Sequence, residues 1–299
     1  MKKVKIITDS CSDLSKNQLE QYNIDYAKMS TLLDGVESPA LLTWSDADAH
    51  KLYETIRGGK RIITSQVSVE EFTRIFTKYL DEGYDIVYIA CSSKQSGSVN
   101  TGYVTAQKLL PKYPDSQIFC IDSLNASIGE GMLAIEAAKM ASDGKAAQDI
   151  ASYITSVRKN VQEFVTVHTL EHLKKAGRVS ASSAFFGNLM GIKPIIISDV
   201  NGAQVACKKV KGRQNSFREI VSSLKENITD AESQTIYIVH ADCSAEEVET
   251  LRELVKSEIP CKDVSVGYIG PIIGASIGPD AVGVFAFGKK VTFSANEKK

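Results

Sequence analysis

Side chains that could bind or transform a substrate gather in four short segments of the first half: DSCSDLS (9–15), TSQVS (64–68), SSKQSGS (92–98) and DSLNAS (122–127). Each is dense in hydroxyls and leads into a helical pattern, where free N–H groups and the helix dipole favour an anion. One serine per segment is accounted for as an ordinary N-cap. Ser15 with Gln18, and Ser68 with Glu71, have the spacing of capping boxes. Thr64, Ser65, Ser96 and Ser98 are more than capping needs. Neutral hydroxyls suit a singly charged carboxylate, and each hydrogen bond to a charged acceptor contributes about 1.5–3 kcal/mol. A nucleoside triphosphate fits less well. The chain has no G-x-x-x-x-G-K-[ST], and no G-x-G-x-x-G follows a strand. The nearest approach, GEGML (129–133), lacks the third glycine.

Two other patterns suggest chemistry and do not sustain it. GASIG (274–278) matches the G-x-S-x-G nucleophile elbow, but that class needs its histidine after the serine. His50, His168, His172 and His240 all precede Ser276. His168 and His172 stand four apart, as in helical zinc pairs, yet their left flank is strand-like and no third ligand is evident. The sequence therefore assigns no metal site, no cofactor and no catalytic residue.

Composition bounds the classes. There are 35 basic and 36 acidic residues, without the basic surplus that nucleic acid requires. None of the six cysteines forms C-x-x-C, and several lie in apolar runs, as packed thiols do. No apolar run reaches membrane-spanning length, and the N-terminus lacks a signal-type apolar stretch. The expectation is a reduced, soluble, cytoplasmic protein, taken as a monomer.

The elements that must position the hydroxyls follow a rhythm. Through about residue 160, short β-branched runs alternate with helical patterns: VKIITDS, RIITSQVS, DIVYIACSS and QIFCIDS each precede one. This predicts an α/β fold with a parallel sheet, the four hydroxyl loops lying at its carboxyl edge, where open α/β sheets bind ligands. Residues 24–60 fit the rhythm less well and read as an extended excursion with a short helix near DADAHKLYETI. From 161 to 299 strands dominate, with helices near 215–229 and 244–257 and a hairpin signal at Asn201–Gly202. The expected domains are 1–160, parallel α/β, and 161–299, α+β with a mixed or antiparallel sheet.

The ordered motifs TDSCSDLS, TSQVSVEEF, SSKQSGS, IDSLNASIGEG, LEHLKKAGRVS, GNLMGIKPI and GPIIGASIGPDAVGVF resemble the DegV family of bacterial fatty-acid-binding proteins along the whole chain. The resemblance implies a Rossmann-like N-terminal domain and one bound long-chain fatty acid. It also implies a role as the lipid-binding subunit of a fatty acid kinase, presenting the carboxyl group to a separate ATP-binding subunit. It places carboxylate contacts at Thr64 and Ser96, with Ser65, Gly97, Ser98 and Ser276 nearby. The acyl chain would be sheathed from a helix at 184–192 by Phe185, Phe186, Leu189, Met190 and Ile192. Arg178, Lys211 and Arg213 would face the kinase. Three departures stand out. Val67 replaces a proline of the TSQP pattern, a change that would loosen the loop. Ser98 replaces a threonine. Ser276 occupies a position where relatives often carry histidine, with Asp280 at a glycine position and expected to face solvent. A lipid sensor without a kinase partner, or a serine esterase, are the alternatives.

Overall fold

The computed structural model describes residues 2–181, 185 and 190–295. The first part of the chain runs β1 (Val4–Asp9), α1 (Lys16–Gln21), β2 (Asp25–Ala27), β3 (Ser30–Leu33), β4 (Val36–Pro39) and α2 (Asp46–Arg57). It continues with β5 (Ile63–Ser65), α3 (Val69–Asp81), β6 (Asp85–Ala90), α4 (Ser98–Leu109), β7 (Ile118–Asp122), α5 (Ile128–Ser142) and α6 (Ala147–Val157). Then follow β8 (Val161–Thr166), α7 (Glu171–Ala176), β9 (Ile192–Ser198), β10 (Gln204–Lys211) and α8 (Arg213–Asn227). The last elements are β11 (Thr235–His240), α9 (Ala245–Glu258), β12 (Asp263–Tyr268), α10 (Pro271–Ile277) and β13 (Val282–Phe287). These residues cluster into two units: 1–44, 62–158 and 270–272 in the first, and 45–61, 159–269 and 273–299 in the second. The segments 45–61 and 270–272 thus depart from a single division at 160/161.

The first unit is built on a four-stranded parallel sheet, β2-β1-β6-β7. Its central strands VKIITD and DIVYIA are almost wholly buried, on both faces alike, as a doubly covered sheet requires. The chain moves from β1 to one side and from β6 to the other, so the switch point lies between the carboxyl ends of β1 and β6. Helix α5 is buried along nearly its whole length, and its Gly131 is a packing necessity. A Cβ there would come within 2.6 Å of the Ser12 carbonyl oxygen.

One expected strand changes place. β5 does not join the parallel sheet; it pairs antiparallel with β3 in a separate sheet of order β4-β3-β5. Ile63 is 49% exposed, whereas a strand inside a doubly covered sheet would bury it. The excursion before it contains the expected helix, α2, capped by a Ser45–Asp48 box, but the helix groups with the second unit. Its buried face, Ala49, Tyr53 and Ile56, has helical spacing, and Tyr53 donates to the Ile269 carbonyl at 2.6 Å.

The second unit holds a six-stranded mixed sheet of order β10-β9-β8-β13-β11-β12. Phe217, Ile220, Val221 and Leu224 of α8, with Leu251 and Val255 of α9, bury against Ile195, Ile236, Ile238, Val282 and Val284. The β9–β10 hairpin turns at Asn201–Gly202, and the Asp199 carboxylate accepts from the N–H groups of Asn201 and Ala203.

A carboxyl group is buried in this sheet. Glu163 of β8 accepts from the Ser198 hydroxyl at 2.6 Å and from Gln204 at 3.3 Å, and burial pushes its pKa up to about 7. A raised carboxyl pKa means that the folded state holds the proton more tightly than the unfolded chain. Stability from this site is therefore complete below the ordinary glutamate value and is lost as pH rises from there through about 7. Glu163→Gln mimics the protonated form. We expect it to leave the melting temperature at pH 5 nearly unchanged and to stabilise the protein at pH 8 by about 2–3 kcal/mol. Thermal unfolding at the two pH values checks this, and an equal change at both would contradict the assignment.

Candidate functional site

In the first unit the TSQVS and SSKQSGS segments come together. The Val67 N–H donates to the Ser98 hydroxyl at 3.2 Å, and Gln66 donates to the Thr101 hydroxyl at 2.8 Å. Gly97 allows this approach, because a Cβ there would lie 2.1 Å from Gln66 Oε1. Ser96 and Ser98 join through their hydroxyls at 2.9 Å, and Ser96 Oγ accepts from the Ser98 N–H at 3.2 Å. Ser98 is fully buried, while Thr64 and Ser96 are half-buried and Ser65 and Gly97 exposed.

These positions divide the hydroxyls by role. Ser98 holds the two segments to one another. Thr64 sits in β5 opposite Thr31, and no side-chain partner engages its hydroxyl among the described residues. Ser96 stands at the start of α4, whose N-cap, Gly97, supplies no side-chain cap. Ser96 Oγ satisfies only the first N–H of α4, and the remaining free N–H groups of a helix N-terminus are suited to a carboxylate.

The change at Val67 acts opposite to the expected loosening. Its side chain is fully buried, and its N–H, which a proline would lack, ties the loop to Ser98. Ser68 caps α3 as expected, accepting from the Glu71 N–H at 3.1 Å. The Glu71 carboxylate instead takes Arg74 and the Lys28 N–H, so the reciprocal half of that capping box is absent.

Beneath the switch point lies a buried acidic cluster that the sequence did not single out. Asp9 ends β1 and accepts from the Cys11 N–H at 2.9 Å, the Tyr88 hydroxyl at 2.7 Å and the Cys91 N–H at 3.1 Å. It thereby links the carboxyl ends of β1 and β6. Glu130, in α5, accepts from the Thr8 hydroxyl at 2.6 Å, and its other oxygen is buried without a partner. Burial, then the neighbouring Asp9 charge, raises the Glu130 pKa well above the glutamate range. Asp13 accepts from the Ser127 hydroxyl and from the Gly270 N–H, and burial raises its pKa to about 7. The available signal was Glu130 standing in the first turn of α5 among glycines and apolar residues, IGEGMLAI.

Ser276, in the second unit, lies in the last turn of the seven-residue α10 and is half-buried. The glycines of GASIG have packing roles. A Cβ on Gly274 would lie 2.5 Å from the Tyr53 hydroxyl; Gly278 has φ +81° and stands against the His172 ring. His168 precedes α7 and accepts from Lys193 at 3.1 Å, so it and His172 do not form a helical pair. Asp280 turns the chain with φ +63°, a conformation that glycine adopts most easily. Its carboxylate is not simply solvated, because Arg57 pairs with it at 2.7 Å.

The expected sheath helix at 184–192 falls largely outside the described residues, as do Phe186 and Leu189. Phe185 is half-buried, with the Lys209 ammonium 5.0 Å from its ring centroid. Met190 is 87% exposed, and Ile192 begins β9 instead of ending a helix. Of the expected partner-facing cations, Lys211 and Arg178 are exposed, and Arg178 donates to the Ala176 carbonyl. Arg213 is not presented in the same way. Its side chain is 12% exposed and engages Glu247, the Asp280 carbonyl and the Cys243 sulfur.

Among the described residues no helix is long and apolar enough to cross a membrane. A family model described as "Uncharacterised protein, DegV family" matches residues 3–289. A DegV domain-containing protein of Clostridium perfringens is 35% identical over 288 residues, covering 96% of this chain and 98% of its own. One from Streptococcus pyogenes is 31% identical, covering 95% and 98%. Among solved structures, a DegV lipid-binding protein from Thermotoga maritima has a TM-score of 0.84 at 26% identity, covering 97% of this chain and all of its own. A stearic-acid-binding protein from Eubacterium ventriosum has a TM-score of 0.83 at 26% identity, covering 96% and 98%. The parallel sheet, its hydroxyl loops and the mixed sheet all lie within the matched span, and the chain belongs to the DegV family.

Proposed function

We propose that this protein binds one long-chain fatty acid in the bacterial cytoplasm and performs no chemistry on it. The observation carrying this reading is that the loops bearing Thr64 and Ser96 are joined through Val67 and Ser98 at the start of α4, whose N-cap Gly97 supplies no side-chain cap. Fatty acids in the names of solved relatives at 25% identity or above support the ligand class. Ser276 assists at the head group in place of the family histidine, and Phe185 contributes to the sheath. The bound carboxyl group is presented to a separate ATP-binding subunit, which converts it to an acyl phosphate, with Arg178 and Lys211 facing that partner. Native mass spectrometry of protein taken from cells tests the ligand. One long-chain fatty acid per chain is expected, and a different resident ligand would overturn the reading.

Ser276 also supports a second reading, a lipid sensor whose partner is not a kinase. Hydroxylamine trapping of acyl phosphate from the loaded protein, ATP and the kinase subunit separates the two. We expect hydroxamate formation that depends on both proteins. Fatty acid binding with no hydroxamate favours the sensor.

A further inference from the structure

The second unit holds a side-chain cluster that fatty acid binding does not use. His50 and Glu54 are four residues apart on α2 and share one face of it. Asp242 follows β11 in a turn with φ +57°. His50 Nδ1 lies 2.9 Å from Asp242 Oδ2 although the residues are 192 apart in sequence. One ligand atom from each of His50, Glu54 and Asp242 falls within 4.8 Å of the others. Zinc binds imidazole nitrogen and carboxylate oxygen at about 2.0–2.2 Å, which puts tetrahedral ligands roughly 3.4 Å apart. Closing the remaining distance needs only rotamer adjustment. The His50 and Glu54 side chains are 64% and 55% exposed and free to make it.

A cation already occupies this corner. Arg57 Nη1 contacts Glu54 at 2.9 Å and Asp242 Oδ2 at 2.6 Å. Its other nitrogen, Nη2, holds the Asp242 carbonyl at 2.8 Å and Asp280 at 2.7 Å. A metal taking the first pair would leave Arg57 its second.

We infer that His50, Glu54 and Asp242 form a site for a divalent cation of the zinc class, with Arg57 as its displaceable placeholder. The imidazole and two carboxylates match zinc better than calcium, which takes six to eight oxygens, or magnesium, which prefers an octahedral oxygen shell. The bound ion would fasten α2 to the turn after β11, and this does not depend on what the hydroxyl loops bind.

Calorimetric titration of chelator-treated full-length protein with zinc chloride tests the inference, with magnesium and calcium chloride as comparisons. One zinc per chain is expected, weakened at least tenfold by His50→Ala and by Glu54→Gln. Arg57→Gln should bind zinc several-fold more tightly, which a merely structural ion-pair network does not predict. Cobalt(II) supplies an independent readout: visible bands without a thiolate charge-transfer band, since cysteine is not a ligand here. No zinc uptake by the unaltered protein, or uptake indifferent to His50→Ala and Glu54→Gln, would overturn the site.

Discussion

Replacing Thr64 by valine together with Ser96 by alanine is expected to weaken stearate binding about 100-fold. In the proposed site each hydroxyl would donate to a charged oxygen, worth about 1.5–3 kcal/mol. Both are half-buried, so water can partly compensate, and the lower end applies to each. Two such bonds amount to about 3 kcal/mol, or two decades in affinity. The single changes are not equivalent. Ser96 also accepts from the Ser98 N–H, so its removal disturbs the start of α4, whereas Thr64 has no comparable duty. Thr64→Val alone should therefore cost about tenfold with an unchanged melting temperature, and Thr64→Ser should restore affinity. Displacement of a fluorescent fatty acid measures all three. Undiminished affinity in the double variant would move the head group away from these loops.

Asp9→Ala is expected to be the most damaging single change to the first unit. It strands the Tyr88 hydroxyl and the N–H groups of Cys11 and Cys91 with no acceptor. Unsatisfied buried donors cost about 1–3 kcal/mol each, so the loss of three acceptor contacts is about 3–9 kcal/mol. That is a large share of the roughly 5–15 kcal/mol by which proteins are stable. Glu130→Gln makes the informative contrast. Burial and the neighbouring Asp9 charge hold its pKa well above the usual range, which favours the neutral acid, and glutamine retains an acceptor for Thr8. Its unfolding free energy should stay within about 1 kcal/mol of the unaltered protein. Denaturant unfolding of both variants checks the pair; a comparably severe Glu130→Gln would mean that Glu130 is ionised.

The contrast marks what the sequence could disclose. β1 and β6 were legible because each is a β-branched run leading into a helical pattern, and Ser15 and Ser68 because capping is local. The surplus at Thr64, Ser96 and Ser98 was visible as composition, but not its division of labour. That Ser98 is structural depends on Val67, thirty-one positions away. β5 was misplaced because three β-branched and hydroxyl residues have no periodicity to show which sheet they join. The role of α2 was hidden for a related reason. Its apolar face is plain in the sequence, but the partner of Tyr53 is 216 residues downstream. Arg213 read as a surface cation because nothing local shows Glu247 and Asp280 closing around it.

The distance between Tyr53 and Ile269 also bears on how the protein is made. A ribosome adds about 5–20 residues per second, so α2 emerges roughly 10–40 s before the chain that accepts its tyrosine hydroxyl. Until the chain passes residue 158, Ala49, Tyr53 and Ile56 have no other part of the second unit to bury against, and Asp13 lacks the Gly270 N–H for longer still. A nascent chain halted near residue 160 would therefore not be a finished first domain. It would carry a sticky helix and an incompletely paired carboxyl group, the kind of intermediate that chaperones hold until synthesis ends.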